Sequence, residues 1–370
     1  MNELHIDKTH WKKYRFDEVC QQVNEATKDP AAEGLDHVIG LEHIEPNNLH
    51  ITHWDTLEKE TTFTRKFKKG QVLFGRRRAY QRKVAYAEFD GICSGDILVF
   101  EAIEKVMLPE LLPFLIQSEG FFQKALATSA GSLSPRTKFK ELAGYEFLLP
   151  PKAEQKRLAE LLWAADEVVE KEKREKERME RFIRAKLIQI GNHKGDSQLT
   201  INNVCDILDN KRKPLSSRER DAIKGDYPYY GVNGIVDYIN TYIFDDELVL
   251  LAEDCGNYQN YKEEPIAYLI TGKSWINNHV HVLKAKKDTI LSKWLYYSLA
   301  HKDIVRFING STRGKLCSSE LERITLYVPS LEKQRDLCMG IEQNEKALEL
   351  VKCQLNISQQ IKQELINKVF

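Results

Sequence analysis

The sequence predicts a mixed α+β fold. It has two α/β domains separated by two long helices that pair as an antiparallel coiled coil, in a pseudo-two-fold internal repeat. Three observations carry this. Residues 153–190 run without proline or glycine, with apolar residues at helical and heptad intervals: Leu158 and Ala165, Leu161 and Val168, Leu162 and Val169, then Ile183 and Ile190. Residues 330–370 carry a similar stripe at Ile341, Leu348 and Leu355, with Val351 and Leu365 beside it. A shift of 179 residues pairs Gly131-Ser132 with Gly310-Ser311 and Glu141-Leu142 with Glu320-Leu321. The same shift pairs Phe147 with Leu326, Pro150 with Pro329, Gln155 with Gln334 and Leu158 with Leu337. Leu187-Ile188 matches Leu365-Ile366 after a one-residue slip.

The elements follow in order. Trp11 to Val23 reads as a short strand turning into a helix. HVIGLEHI, QVLFG, VAYAEF and DILVF, with their β-branched and aromatic residues, read as strands. Residues 108–126 read as one helix with Pro113 near its first turn. GSLSPRTKF is a loop and GYEFLLP a closing strand. The first long helix follows, with nine consecutive charged residues from Glu170 to Arg178. At about 1.5 Å per residue it would reach roughly 55–60 Å. GNHKGDS (191–197) is a linker. The second half repeats the order: LTINNVCDIL opens it, YPYYGVNGIVDYI, ELVLLAED, IAYLITG and HVHVLKA are strands, and 291–307 is a helix. The expected domains are 1–150 and 199–328, with long helices at 151–192 and 329–370.

The chain has 370 residues, 42% hydrophobic and 30% charged, with zero formal net charge. That length holds two cores. With no net basicity, nucleic-acid binding must rest on local patches. No apolar run approaches a membrane span and no signal-peptide pattern opens the chain. Seven scattered cysteines, never in a CxxC pair, fit a reducing cytoplasm and give no zinc spacing.

Residues 65–83 hold nine Lys or Arg and no acid: Arg65, Lys66, Lys68, Lys69, Arg76, Arg77, Arg78, Arg82 and Lys83, with Tyr80 and Gln81 among them. Such a run neutralises phosphates, and Arg and Gln can read base edges; a solvated basic face is the alternative. The stretch 227–234 combines glycine turns with tyrosines that either pack in a core or line a groove. Thr271-Gly272-Lys273-Ser274 imitates the end of a P-loop, but Ala267 stands where the first glycine is required. His279 and His281 share a strand face without a further ligand cluster in sequence. Glu154-Gln155-Lys156 has the E-x-K form of some nuclease sites, but its equivalent is Lys333-Gln334-Arg335. There is no Asn/Asp-Pro-Pro-aromatic motif and no Gly-rich cofactor loop. The chain reads as a binder without its own catalytic residues, metal or cofactor.

Over nearly its whole length the chain resembles the DNA specificity subunits of Type I restriction–modification systems. Residues 70–100, 227–257 and 271–283 are similar to blocks of that family's target recognition domains, and LLPPKAEQKRLAELL to its spacer signature. The second copy, YVPSLEKQRDLCMGI, departs by carrying Lys333 where the glutamate would stand. The resemblance implies that each domain reads one half of a bipartite, asymmetric duplex DNA target. It implies that the paired helices set the spacer and dock methyltransferase subunits, usually two. S-adenosylmethionine, ATP and Mg would belong to those partners and to restriction subunits. The candidate contacts in the first domain are the residues of the basic run with Arg136 and Lys138. In the second they are Lys211, Arg212, Lys213, Tyr230, Asn233, Lys273, Trp275, Asn277, Asn278, Arg313 and Lys315. The other readings are a coiled-coil scaffold, a stand-alone DNA-binding protein of a methylation-only defence system, and an enzyme active by itself.

Overall fold

Near the start of each half the chain makes the same three moves. A strand (Lys12–Arg15) leads into one helical turn (Phe16–Val19) and a second strand (Cys20–Val23). Gln198–Thr200, Ile201–Val204 and Cys205–Ile207 repeat this. Each turn buries two apolar residues three apart on one face, Phe16 with Val19 and Ile201 with Val204. The backbone contacts match as well: Phe16 N–H donates to Tyr145 O at 2.8 Å and Ile201 N–H to Ile324 O at 2.9 Å.

This computed structural model describes residues 6–195, 197–254, 257–310 and 314–370. The chain is mixed α/β and divides into two units, residues 1–172 with 354–370, and residues 173–353. In the first unit a four-stranded sheet runs in the order 20–23, 97–102, 72–75, 84–86, and a three-stranded sheet in the order 38–39, 91–93, 65–67. Phe16, Phe74, Phe100, Phe121 and Phe122 are buried in its main core. In the second unit six strands run in the order 205–207, 280–285, 244–252, 267–276, 224–231, 234–239. Trp294 and Tyr297 are buried in its core.

Two expected helices are shorter than their apolar pattern. Residues 108–126 form a 3-10 turn and two helices, Leu112–Gln117 and Glu119–Ala127. Ser118 separates them: its backbone is extended, its hydroxyl donates to Leu115 O at 2.7 Å, and it accepts from Phe121 N–H at 3.3 Å. A serine that caps both ends ends one helix and starts the next. Similarly, 291–307 is a helix only over Ser292–Ala300, followed by a 3-10 turn at Val305–Phe307.

The long helices span Lys152–Gly191 and Leu331–Val369. Gln155 and Gln334 tie their first turns to the preceding domains in the same way. Gln155 accepts from Leu108 N–H and donates to the carbonyls of Val106 and Pro150, all at 2.9 Å. Gln334 accepts from Leu291 N–H at 2.9 Å and donates to Thr289 O at 3.0 Å and Pro329 O at 2.8 Å. Leu158, Leu162 and Val169 are buried, whereas Leu161 and Val168 of the expected stripe are exposed. The three-and-four spacing from Leu162 instead passes through buried Asp166 and Glu172. Within the first unit Lys362 pairs with Asp166, and Gln354 donates to Glu172 at 2.9 Å. Within the second, Ile183 and Leu187 share a core with Cys338, Ile341 and Leu348. Among the described residues no helix is long and apolar enough to cross a membrane.

Candidate nucleic-acid interface

The basic run 65–83 is continuous in sequence but divided in space, because the buried strand Val72–Gly75 lies in its middle. Its first part is largely matched internally. Arg65 donates to the carbonyls of Ile97 and, at 3.4 Å, Gly95. Lys66 pairs with Glu33 at 2.6 Å, which raises its pKa. Lys68 lies 3.7 Å from Glu25, and Lys68 and Lys69 are exposed.

The second part, 76–83, is a turn held in a costly backbone shape. Arg78 and Arg82 both have φ of 53°, flanking a 3-10 turn at Ala79–Gln81. Asn47, at φ 57°, donates its N–H to Arg82 O at 3.1 Å. Left-handed backbone at residues other than glycine costs on the order of 1 kcal/mol each and persists only where the surroundings enforce it. Here the turn buries Ala79 and presents Tyr80, which is 58% exposed. Gln81 is half-buried. Arg82 is turned inward, paired with Glu119 and 4.8 Å over the Phe122 ring, and Lys83 donates to Leu41 O at 2.6 Å.

The loop that leads to the first long helix meets this turn. Arg78 N–H donates to Pro135 O at 2.8 Å. Arg77 reaches Ser134 Oγ at 3.0 Å and Asp96 at 3.5 Å. Arg136 grips Asp96 with Nε at 2.7 Å and Nη2 at 3.1 Å. That pairing, with the nearby charges of Arg77 and Arg76, holds the Asp96 carboxyl below the usual range. The Nε atoms of Arg76, Arg77 and Arg78 are shielded from solvent without a hydrogen-bond partner. Lys138 stands exposed at the start of the next helical turn. The structure therefore gathers Arg76, Arg77, Arg78 and Arg136 into one half-buried cationic edge beside the exposed Tyr80, with Asp96 and Ser134 as supports. Asp96 was not signalled by the sequence: it is a lone acid before a strand, 40 residues from Arg136.

In the second unit the candidates disperse. Lys211 and Lys213 are exposed beside Arg212, whose guanidinium is turned inward. Arg212 donates to Val280 O at 2.7 Å and Asp209 O at 3.0 Å, and pairs with Glu253. Lys315 also meets Glu253, at 3.0 Å, which raises the lysine's pKa. Burial pushes Glu253 up, yet Arg212 and Lys315 hold it below its usual value. Buried His281 joins the cluster through Asp209 at 2.6 Å. Asp209, Glu253 and His281 have metal-ligand character, but Arg212 and Lys315 already match their charge, so the group is an ion-pair network.

Trp275 is 7% exposed and packs with Tyr229 and Ile239; its indole N–H donates to Lys213 O at 2.7 Å. It supports the Lys213 backbone from inside the core. Tyr230 is half-buried, and Asn233 is exposed at the tip of the hairpin of strands 224–231 and 234–239. Lys273 lies 4.8 Å over Tyr242 and 5.8 Å over Tyr227. Asn277 accepts from His279 N–H at 2.9 Å, and Asn278 is exposed. Arg313 lies outside the described residues.

A model of the Type I restriction modification DNA specificity domain matches residues 8–181 and 197–363. A Haemophilus influenzae protein named as a type I restriction enzyme specificity subunit is 36% identical over 138 residues, covering 37% of this chain and 34% of that protein. The EcoDI specificity subunit of Escherichia coli is 28% identical over 182 residues, covering 46% and 38%. The matched part spans about a third of the length of these relatives. Among solved structures, a chain from work on complex assembly and conformational transition of the type I R-M system aligns with TM-score 0.61 at 18% identity, covering 97% of each chain. A Type-I restriction-modification S subunit from M. genitalium aligns with TM-score 0.56 at 16% identity, covering 99% and 98%. These structural likenesses bear on the fold.

Proposed function

The chain belongs to the Type I restriction modification DNA specificity family, and from that premise we propose that it is the sequence-reading subunit of such a system, without catalysis of its own. Each domain reads one half of a bipartite duplex target. Phosphate contacts position each reader, and a few side chains specify bases. Methyltransferase subunits, two in number, dock on the long helices and bring S-adenosylmethionine. Restriction subunits, where present, bring ATP and Mg chemistry. The protein acts in the cytoplasm, where the duplex is.

The observation that carries this is the double match of the family model to two halves built alike down to Gln155 and Gln334. One chain with two equivalent readers suits a target with two separated parts. The long helices serve as the spacer, pairing antiparallel as a coiled coil. In support, the partner of the first helix falls from Lys362 to Gln354 as that helix advances from Asp166 to Glu172.

Footprinting of the chain reconstituted with methyltransferase subunits tests the reading, using duplexes with single base-pair changes. Two protected half-sites separated by tolerant bases are expected, and each sensitive pair should cost about tenfold or more in affinity. One continuous target contradicts two readers. Methylation or cleavage by the purified chain alone contradicts the non-catalytic assignment. No binding by the complex leaves a scaffold.

A further inference from the structure

The end of the central strand and the loop that crosses it form the same backbone junction in both domains. Val72 pairs with Phe100 in the first, and Val249 with Leu283 in the second. Beyond the strand, Arg76 N–H donates to Asp96 O at 3.0 Å, and Glu253 N–H to His279 O at 2.9 Å. The loop returns with Thr137 N–H on Arg76 O at 3.0 Å, and Leu316 N–H on Glu253 O at 2.7 Å. Isolated bridges join Arg77 to Arg136 and Asp254 to Lys315. The backbone thus equates Arg76 with Glu253, Arg77 with Asp254, Asp96 with His279 and Arg136 with Lys315.

The side chains differ in sign where the backbone agrees. The first junction holds three cationic groups in excess once Asp96 is set against Arg76, Arg77, Arg78 and Arg136. Among the described residues the second sets Asp209, Glu253 and Asp254 against Arg212 and Lys315, beside His279 and His281. In the first, one carboxylate orders two guanidinium groups from chain segments far apart in sequence. Arginines repel one another, and a guanidinium specifies a base only in a fixed orientation.

Resting on the reading of the domains as DNA readers, we propose that Asp96 is a positioning residue for sequence discrimination by the first domain. It holds Arg77 and Arg136 in the orientation that reads the target. In the second domain, among the described residues, Glu253 instead holds Arg212 and Lys315, in a cluster that also contains Asp209. The role separates specificity from affinity. Removing the carboxylate charge makes the edge more cationic, so attraction to phosphates is kept or raised, while discrimination between base pairs falls.

The test uses the full chain in complex with its methyltransferase subunits. Asp96→Asn, Asp96→Glu and Arg136→Lys are titrated with cognate duplex, with duplexes changed at one base pair in either half-site, and with unrelated duplex. Asp96→Asn and Arg136→Lys are expected to lower discrimination at one half-site by about tenfold, the scale of one bidentate contact. Discrimination at the other half-site stays the same, affinity for unrelated duplex does not fall, and Asp96→Glu recovers part of the loss. Unchanged discrimination at both half-sites overturns the proposal. So does an equal loss at both halves, or a loss accompanied by a matching fall in thermal stability, which marks a purely structural role. A wild-type complex that discriminates at neither half overturns the DNA-reading assignment itself.

Discussion

His50 lies where the first domain meets the long-helix segments of its own unit. Its Nε2 is 2.7 Å from Asp166, which is 1% exposed and paired with Lys362, and its Nδ1 is 3.0 Å from Glu88. The hydrogen bond with Asp166, against the cost of burial, raises the imidazole pKa. A raised folded value gives stability that is complete below the unfolded value, near pH 6.5, and is lost as pH rises through the folded value. His43 in the same unit shifts the other way through burial, so total stability mixes the two. The comparison of wild type with His50→Gln isolates the term. The stability advantage of wild type should be largest below about pH 6.5 and shrink above it, read from urea melts across pH. An advantage that is constant or grows with pH contradicts the ion-pair assignment. No sequence pattern shows this group, because Asp166 lies 116 residues from His50 and 196 from Lys362.

At the scale of elements, the sequence shows whatever depends on local periodicity. The strands at 72–75, 97–102, 244–252 and 280–285 and both long helices sit where the apolar pattern puts them, whereas 227–239, read as one strand, is a hairpin of two. The other failures come from polar side chains that take structural positions. Ser118 breaks a helix that its apolar neighbours would continue, and Asp166 and Glu172 take buried positions that Leu161 and Val168 would be expected to fill. A buried ion pair is a weak stabiliser but a strong specifier of register, since any slip leaves a charge unpaired. Seven residues keep a three-and-four seam in phase, so a heptad inserted within Glu170–Arg178, with a matching heptad at Cys353, should extend the paired helices by about 10 Å. The tolerant gap in the target should lengthen by roughly three base pairs, with both half-site sequences unchanged. Altered half-sites, or an unchanged gap in a folded complex, contradict the ruler.

Over the whole molecule, duplication sets the architecture, and, on the proposed function, divergence sets what each half reads. The matches at Gln155 and Gln334 and at the strand–turn–strand openings keep two copies of one frame. On that frame the cationic edge of the first domain, with Tyr80 presented by a strained turn, has no counterpart of the same charge among the described residues of the second. There Arg212 and Lys315 are matched by Glu253, and Trp275 is drawn into the core, so among the described candidates Lys211, Lys213, Asn233, Lys273 and Asn278 are exposed and not paired with Glu253, while Lys315 is exposed but paired with it. Residue type pointed to the basic runs, but only the fold separates cations directed at solvent from cations consumed by internal carboxylates. Two frames alike in backbone and unlike in charge call for two unlike half-sites. Mapping base methylation across the genome of a host carrying this chain with its methyltransferase subunits tests that most directly. One motif made of two different short sequences with a fixed gap of unspecified bases is expected. A single continuous motif, or two identical half-sites, would contradict it.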